Sequence, residues 1–492
     1  MFANLMQGFA SVLTSPSVFL FMVGGVLAGI TIGALPGLTA TMGVAVLLPL
    51  TFGMEPSTGF ALLLSVYCGA MYGGSISAIL INTPGTPAAA ATTLDGYKLA
   101  LKGDVGKALA TSTIASSFGG ILSVLLLITI SPLLAQFALR FAAPEFFALA
   151  VFGLSIIASI SSQNIIKGLL AGVFGMIIAS IGLDPVAAVP RFTFGRTELL
   201  NGVSLIPLLV GLFALPQCFL EMETIFVESK VLKNFSSKLL SMKEIISLLP
   251  LMLKSSLIGA FIGAVPGAGG DIAAFTAYNE AKRSSKKKHL FGTGILEGVA
   301  APESANNAST GGAMIPLLSL AVPGDAVTAV LLGGLIIKGI QPGPLLFKEQ
   351  SGLVNTIFAI MFLANVIMGV VGLFGIKTFA KALSIPKKVI VPIIITLSMV
   401  GSYSMNSSMF DIFVTILFGV IGYLMIKADV IVSPIVLAVI LGPMAETNFR
   451  RSLIMFKGDM SFLYTRPITV VFLAIAIFTI VSSLVKQRPK SS

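Results

Sequence analysis

The sequence predicts an all-α integral membrane protein with about 10–12 transmembrane helices. Of its 492 residues, 56% are hydrophobic and only 10% are charged, whereas soluble domains carry about 25% charged residues. Apolar runs close to the length that crosses a bilayer recur along the whole chain, among them 17–32, 108–133, 165–181, 353–375, 411–426 and 468–485. Because these runs are continuous rather than alternating, we expect helices and not the strands of a membrane barrel.

The positive charge of the chain is assigned to membrane topology rather than to nucleic acid. The net charge is +11, but no basic patch is interleaved with aromatic residues. Short basic loops mark the cytoplasmic side of a membrane, so we expect 282–289, 377–388 and the tail from 486 to face the cytoplasm.

Segment 446–466 does not fit this topology. It contains Arg450, Arg451 and Arg466, yet counting spans from 388 to the tail puts it outside the cell. Either 430–444 does not cross the membrane fully, or the rule fails here.

The two halves of the chain carry similar motifs in the same order. A Pro-Gly pair comes first, then a Gly-Gly pair, then a second Pro-Gly pair. The motifs are Pro36-Gly37, Gly73-Gly74 and Pro84-Gly85 in the first half, and Pro266-Gly267, Gly311-Gly312 and Pro323-Gly324 in the second. Internal repeats are common in secondary transporters. We therefore predict two transmembrane repeats.

These repeats divide the chain into four parts. We predict a first repeat at 1–220, an amphipathic linker at 221–245, a second repeat at 246–445, and a C-terminal span and cytoplasmic tail at 446–492. The turn after Pro266-Gly267 is strongly basic, whereas the turn after Pro36-Gly37, near 51–57, has Glu55 and no base. This contrast favours inverted repeats.

Pro-Gly pairs inside apolar runs predict broken helices or re-entrant hairpins. Pro removes a backbone donor, and Gly accepts unusual backbone angles. Broken backbone at membrane depth is tolerated only where it is buried or lines a wet cavity. Half-helix N-termini can face an anionic substrate, and unwound carbonyls can hold a cation. A single Pro-Gly pair would suggest only a kink, but four in matched order predict a transport site.

The candidate site consists of glycines and polar residues at these breaks. An ionisable group at membrane depth is costly and is a functional candidate. We expect the substrate or a coupling cation to be bound by Gly37, Thr39, Asn82, Thr83, Gly85, Thr86, Gly267, Asp271, Glu303, Asn306, Asn307, Ser309, Gly324 and Asp325. A sodium site is predicted near Asn82, Asn306 and Asp271.

The sequence does not suggest an enzyme. It has no HExxH, GxSxG or GxxxxGK[ST] motif, and its cysteines, Cys68 and Cys218, lie in apolar runs. We therefore expect no catalytic residues and no resident cofactor. Energy would come from an ion gradient, of Na⁺ or H⁺, or from another subunit.

Several long motifs resemble one known family. They are GALPGLTATMG from Gly33, YGGSISAILINTPGTPAAAATTLDGY from Tyr72, GAVPGAGGDIAAF from Gly263, EGVAAPESANNASTGGAMIPLLSLAVPGDAVTAVLL from Glu297 and KGIQPGPLLF from Lys338. In these stretches the chain resembles the large permease subunit of the tripartite tricarboxylate transporter family (TctA-type), over roughly 15–445.

The resemblance implies a multi-pass protein of the bacterial inner membrane. It implies two protein partners, a small membrane subunit and a periplasmic solute-binding protein, and the import of citrate or a related carboxylate with sodium or protons. Asp325 stands where many relatives are expected to have a small residue such as Ser. A channel or flippase for another small solute is the alternative. The carboxylate and the coupling ion stay open.

Overall fold

The computed structural model describes residues 2–160, 165–184, 188–223, 240–382 and 387–486. In the first part of the chain the helices are α1 Phe2–Thr14, α2 Pro16–Ala34, α3 Ala40–Leu47, α4 Pro56–Ile81, α5 Ala90–Leu101, α6 Val105–Ala138, α7 Ala143–Ile160, α8 Ile165–Ala179, α9 Leu205–Phe213 and α10 Leu215–Glu223. They continue as α11 Met242–Ala264, α12 Gly269–Ser284, α13 Glu297–Leu320, α14 Ala326–Ile337, α15 Leu346–Glu349, α16 Ser351–Ala382, α17 Lys387–Asn406, α18 Met409–Lys427, α19 Ser433–Met455, α20 Phe462–Thr465 and α21 Pro467–Lys486.

The remaining regular structure is short. Single 3₁₀ turns occur at Pro49–Thr51, Pro87–Ala89, Thr197–Leu199 and Lys288–Leu290. Strands β1, Gly182–Leu183, and β2, Pro190–Arg191, form an antiparallel pair. The chain is therefore a helical protein, as its composition predicts.

Many of these helices suit a bilayer. Among the described residues, eight helical segments are long and apolar enough to span it: Pro16–Ala34, Pro56–Ile81, Val105–Ala138, Leu205–Glu223, Met242–Ala264, Ser351–Gly375, Lys388–Asn406 and Met409–Lys427. Shorter apolar helices lie at Ala40–Thr51, Ala143–Ala158, Ile165–Ala179, Ala326–Ile337 and Pro467–Ser483. The prediction of an all-α, multi-span membrane protein is confirmed.

Helix contacts divide the chain into two compact units. The first consists of Met1–Leu134 and Gln217–Gly401, and the second of Ala135–Pro216 and Ser402–Ser492. The predicted boundaries at 220 and 445 stay predictions. Most of the predicted linker, 224–239, lies outside the described residues. Its end belongs to α11, where Ser241 and Glu244 form a capping box.

The first unit is built around α4 and α13. Every residue of α4 from Thr58 to Leu80 is buried, and so is every residue of α13 from Gly298 to Leu320. The helix α4 is mainly apolar, but α13 carries Glu303 and Asn306 on its buried surface. A polar helix is stable in such a place only if other helices satisfy its side chains, so α13 is the first place to look for function.

Glycines bring α2 against α4 and α11 against α13. A methyl group at Gly33 would lie 2.8 Å from Cα of Ala70, and one at Gly263 would lie 2.7 Å from Cα of Ser309. Small residues let membrane helices approach this closely. Each half therefore contains a tightly packed pair of helices whose first member ends at a Pro-Gly break.

The packing of the two Gly-Gly pairs shows which of their glycines correspond. In the first half Gly73 packs against α2, where a methyl group would lie 3.0 Å from the Ala34 nitrogen. In the second half Gly312 packs against Ala260 of α11, whereas Gly311 lies against Ser123 of α6. Gly312, and not Gly311, therefore takes the place that Gly73 has. The spacing to the second Pro-Gly pair gives the same correspondence, because Gly73 precedes Pro84 by 11 positions and Gly312 precedes Pro323 by 11. The inverted orientation of the halves stays a prediction.

The second unit contains segment 446–466, whose arginines do not fit the topology predicted from the basic loops. The helix α19 is continuous through 433–455, so Arg450 lies within it and not in a loop. Arg450 pairs with Asp184 at 2.9 Å, and Arg466 pairs with the buried Glu145 at 2.7 Å. Arg450 and Arg466 therefore have acidic partners within the unit, while the topology of 446–466 stays a prediction.

Candidate functional site

The first Pro-Gly break has nearly the same backbone in both halves. Leu35, after α2, has φ −82° and ψ 116°, and Val265, after α11, has φ −83° and ψ 113°. Gly37 and Gly267 follow with φ of +90° and +78°. Only glycine adopts such angles without strain. Both predicted breaks are thus real interruptions of helices.

The second break is also shared. The helix α4 ends at Asn82, with φ 55° and ψ 26°, and α13 ends at Ala321, with φ 59° and ψ 27°. Asn tolerates this left-handed conformation better than most residues, but Ala does not. Pro84-Gly85 and Pro323-Gly324 follow directly. Ala321 is therefore held in a strained conformation beside the candidate site.

The two breaks of each half lie against each other. In the second half, the Gly267 amide donates a hydrogen bond to the Gly324 carbonyl at 2.7 Å, and a methyl group at Gly324 would lie 2.5 Å from the Gly263 carbonyl oxygen. In the first half, a methyl group at Gly85 would clash with the carbonyl oxygen of Gly33. Residues far apart in sequence thus form one broken-backbone region in each half.

Asp325 is held at the start of α14 and bonds across to the other half. Its side chain accepts the Thr328 amide at 2.8 Å and the Thr328 hydroxyl at 2.7 Å, which forms a capping box. Tyr67 of α4 donates its phenol to the other carboxylate oxygen at 2.5 Å. Asp271, at the start of α12, is close enough to interact electrostatically with Asp325. Asp325 thus caps α14 and also links α14 to α4.

Asn306 and Asn307 of α13 donate hydrogen bonds to α4, and their side-chain oxygens remain available as acceptors. The Asn306 amide donates to the Met71 carbonyl at 2.9 Å, and the Asn307 amide donates to the Cys68 carbonyl at 3.3 Å. Both side chains are fully buried, and within the described residues their Oδ1 atoms receive no hydrogen bond. An unpaired buried oxygen is costly, so these atoms are suited to a ligand.

The Asn306 oxygen points to the first break of its own half. A methyl group at Gly270 would lie 2.7 Å from Asn306 Oδ1 and 3.0 Å from Ser309 Oγ. Ser309 donates its own hydroxyl to the Asn306 carbonyl at 2.7 Å. Asn306, Ser309 and the Gly267–Asp271 break therefore meet at one place.

Glu303 is fully buried and is surrounded by hydroxyl groups. Thr92 of α5 donates to its Oε1 at 2.5 Å, and Ser116 of α6 donates to its Oε2 at 2.9 Å. Among the described residues, no Lys, Arg or His pairs with this carboxylate. It lies one helical turn from Asn306 on α13.

The remaining predicted residues are spread over the first half. Thr39 caps α3 by accepting the Met42 amide at 3.2 Å, and Gly37 lies against Glu221 of α10. Asn82 and Thr83 are exposed at the end of α4. Thr86 is buried, and its hydroxyl has no partner among the described residues.

The structure does not bring Asn82 to Asn306. Asn306 contacts Met71, which lies 11 positions before Asn82. At 1.5 Å per residue this places Asn82 roughly 16 Å further along α4. A single ion cannot reach both side chains, so the predicted sodium site is limited to the neighbourhood of Asn306 and Asp271.

Sequence reasoning missed several site residues. Tyr67, Ser112, Ser116 and Asn365 lie inside apolar helices, so they did not stand out beside the Pro-Gly motifs. Asn365 of α16 is fully buried and donates to the Met361 carbonyl at 2.8 Å, and its Oδ1 accepts no hydrogen bond from any described residue. Ser112 and Ser116 are one helical turn apart in a run rich in hydroxyl groups, and that spacing was the available signal.

Comparison with known proteins agrees with the motif resemblance. The model of the family described as the "Tripartite tricarboxylate transporter TctA family" matches residues 19–437. The chain is 37% identical over 482 residues to an uncharacterised 52.8 kDa protein in the TAR-I ttuC′ 3′ region of Agrobacterium vitis, covering 98% of this chain and 96% of that protein.

A second relative matches slightly less than half of the chain. It is an uncharacterised protein in the TAR-II ttuC′ 3′ region of Agrobacterium vitis, 36% identical over 226 residues, which is 46% of this chain and 93% of that protein. No solved structure matches the chain.

Proposed function

Because this chain belongs to the TctA family of tripartite tricarboxylate transporters, we propose that it imports a tricarboxylate or related small carboxylate together with a cation. In this proposal it is the large transmembrane subunit and works in a bacterial inner membrane. A periplasmic solute-binding protein delivers the substrate, and a small membrane subunit assists.

The meeting of the two breaks in the second half is the observation that carries the proposal. Gly267 bonds to Gly324 at 2.7 Å, and Asn306 lies beside the same break. The helices α12 and α14 both begin here, at Gly269 and Ala326. Helix N-termini favour anions. A carboxylate between them would meet two helix N-termini, of which that of α14 is already capped by Asp325.

The cation has separate ligands in this proposal. Asn306 Oδ1 is a buried acceptor without a donor among the described residues, and Asp271 is a negatively charged neighbour of the same break. Uncharged and charged oxygens of this kind suit a hard cation. A cation there would offset the carboxylate charge of the substrate, which explains why the two would travel together.

Paired alanine variants test this proposal. Asn306→Ala removes the acceptor and the bond to Met71, and it should abolish uptake of a labelled tricarboxylate by cells that also express both partners. Asn355→Ala is the matched control, because the Asn355 amide bonds to the Ser351 carbonyl within its own helix and to no other described residue. It should transport normally.

Membrane abundance of each variant is measured in parallel by quantitative immunoblot. Normal uptake by Asn306→Ala at normal abundance would remove this region from the transport path. Asn82→Ala tests whether the transport path includes the first-half break. Loss of uptake at normal abundance would extend the path to the end of α4, and normal uptake would limit it to the second-half break.

A further inference from the structure

We propose that Glu303 is the group that binds and releases the transported proton. This inference rests on the proposed function and adds to it: a proton binds at Glu303, in addition to the cation that the proposed function places beside Asn306 and Asp271. On binding, the carboxylate gains one proton and loses its charge. On release, the proton passes to water on the other side of the membrane, and no electron moves.

The geometry around Glu303 favours a proton over a metal ion. Both carboxylate oxygens already accept hydrogen bonds, from Thr92 at 2.5 Å and from Ser116 at 2.9 Å. A hard metal cation requires a shell of several oxygens around itself, but here the hydroxyls lie directly on the carboxylate. A proton needs only one oxygen.

Hydroxyl partners can serve both charge states of the acid. Thr92 and Ser116 donate to the carboxylate when it is ionised, and the same oxygens can accept the acid proton when it is neutral, because a hydroxyl is both donor and acceptor. An Arg or Lys partner would fix the ionised state. The buried group therefore keeps its hydrogen bonds through a full cycle of protonation.

The hydroxyl cluster reaches the first-half break. Ser112 of α6 contacts Glu303 and lies 2.5 Å from the Ser75 hydroxyl on α4. The neighbour of Ser75, Gly74, packs against Thr86, where a methyl group would lie 2.9 Å from the Thr86 nitrogen. Protonation of Glu303 can therefore change the hydrogen bonding and packing beside the Gly85-Thr86 break.

Other titratable groups near Glu303 are engaged elsewhere. On α4, Tyr72 interacts electrostatically with Glu303, and its hydroxyl bonds to Thr113 at 2.7 Å. On α5, Asp95 accepts amides of the 292–295 loop, such as Gly294 at 2.7 Å. On α6, the sequence has no charged residue between 107 and 140.

Charged and phenolic groups on α11 and α12 also have partners other than Glu303 in the part of the chain that the structure describes. Lys254 of α11 pairs with Glu280 of α12 at 2.6 Å. Tyr278 of α12 donates to Asp95 at 2.8 Å. Asp271 lies at the opposite, break-side end of α12, and its electrostatic interaction is with Asp325. Glu303 is therefore the carboxylate of this region that is buried among hydroxyls alone.

Infrared difference spectroscopy of the purified full-length chain tests this inference. Because the chain has 20 Asp and Glu residues, the band of one acid is identified by comparing variants. The wild type should show a carboxylic-acid carbonyl component that appears as pH falls and is missing from Glu303→Gln. The control Glu297→Gln, on the same helix but paired with Lys287 near the surface, should keep that component. Identical sets of bands in the wild type and Glu303→Gln, or a component that does not change with pH, would overturn the inference.

A second variant guards against misfolding of the first. Ser116→Ala removes one donor to the ionised carboxylate, so the midpoint of the band titration should move to higher pH. An unchanged midpoint would count against the hydroxyl cluster as the proton site.

Proteoliposomes containing the partners connect the site to coupling. Glu303→Gln resembles the protonated acid, so it should retain exchange of external for internal substrate but lose accumulation driven by a pH gradient. Accumulation equal to the wild type would contradict the inference. The infrared measurement needs neither substrate nor partner. A wild type without uptake would therefore count against the proposed function, while the band would still decide the protonation of Glu303.

Discussion

Replacing Asp325 tests how the two halves are held together at the candidate site. The Asp325 side chain accepts the Thr328 amide and the Tyr67 phenol, at 2.8 and 2.5 Å. Asp325→Ala removes both contacts. Asp325→Asn is the matched control, because Asn is as good a helix cap as Asp and its amide NH2 group, in place of the second carboxylate oxygen, can donate to the Tyr67 hydroxyl.

The structure sets the size of the effect. Loss of a helix cap costs about 1 kcal/mol. Tyr67 is fully buried, so its hydroxyl would be left without an acceptor at a cost of about 1–3 kcal/mol. We expect Asp325→Ala to lower the free energy of unfolding by about 2–4 kcal/mol, and Asp325→Asn to lower it by clearly less.

A double-mutant cycle in detergent measures this coupling. Tyr67→Phe in the Asp325→Ala background removes the orphaned hydroxyl, so part of the lost stability should return. Unfolding is followed by circular dichroism during denaturant titration. If Asp325→Ala is as stable as the wild type, or if the losses from Tyr67→Phe and Asp325→Ala simply add, the linking contact between α4 and α14 has no energetic role and the reasoning fails.

Three further predictions concern the backbone and the loop beside the site. Gly263→Ala should strongly lower the yield of folded protein, because its methyl group would lie 2.7 Å from the Cα of Ser309. The control Gly24→Ala, whose methyl group meets open space, should not lower it. Equal yields of monodisperse protein in size-exclusion chromatography would refute the packing argument. Asn82→Gly should preserve thermal stability and Asn82→Ala should cost about 1 kcal/mol, because Asn82 is left-handed; identical melting temperatures would refute this. Asp95→Ala should lower the free energy of unfolding by about 3 kcal/mol or more. It leaves the Tyr278 phenol and the amides of the 292–295 loop without their acceptor. Resistance of the 286–296 loop to protease equal to that of the wild type would refute this prediction.

The sequence was sufficient to predict the helical membrane fold and the helix breaks. Low charge and continuous apolar runs are physical requirements of lipid, and Pro-Gly pairs interrupt helices for local reasons. Both signals act over a few residues, so they can be read without tertiary structure. Gly37 and Gly267 have the positive φ angles that such breaks require.

The assembly of the candidate site could be predicted only in part. Glu303, Asn306 and Asp325 stood out because polar groups are rare in apolar surroundings. Their partners did not: Tyr67 is an ordinary residue of an apolar helix, and its distance from Asp325 in sequence hides the contact. Asn82 shows the opposite problem. Its place at a helix break put it in the predicted sodium site, but the length of α4 between Met71 and Asn82 separates it from Asn306.

Uptake into proteoliposomes tests the central claim of cation-coupled carboxylate transport most directly. The wild-type chain is reconstituted with its small membrane subunit and its binding protein, and labelled tricarboxylate is followed under an imposed sodium gradient, an imposed proton gradient, or neither. We predict accumulation above the external concentration only when a cation gradient is present, and with the proton gradient alone sufficient. Uptake that is the same under all three conditions would contradict the account.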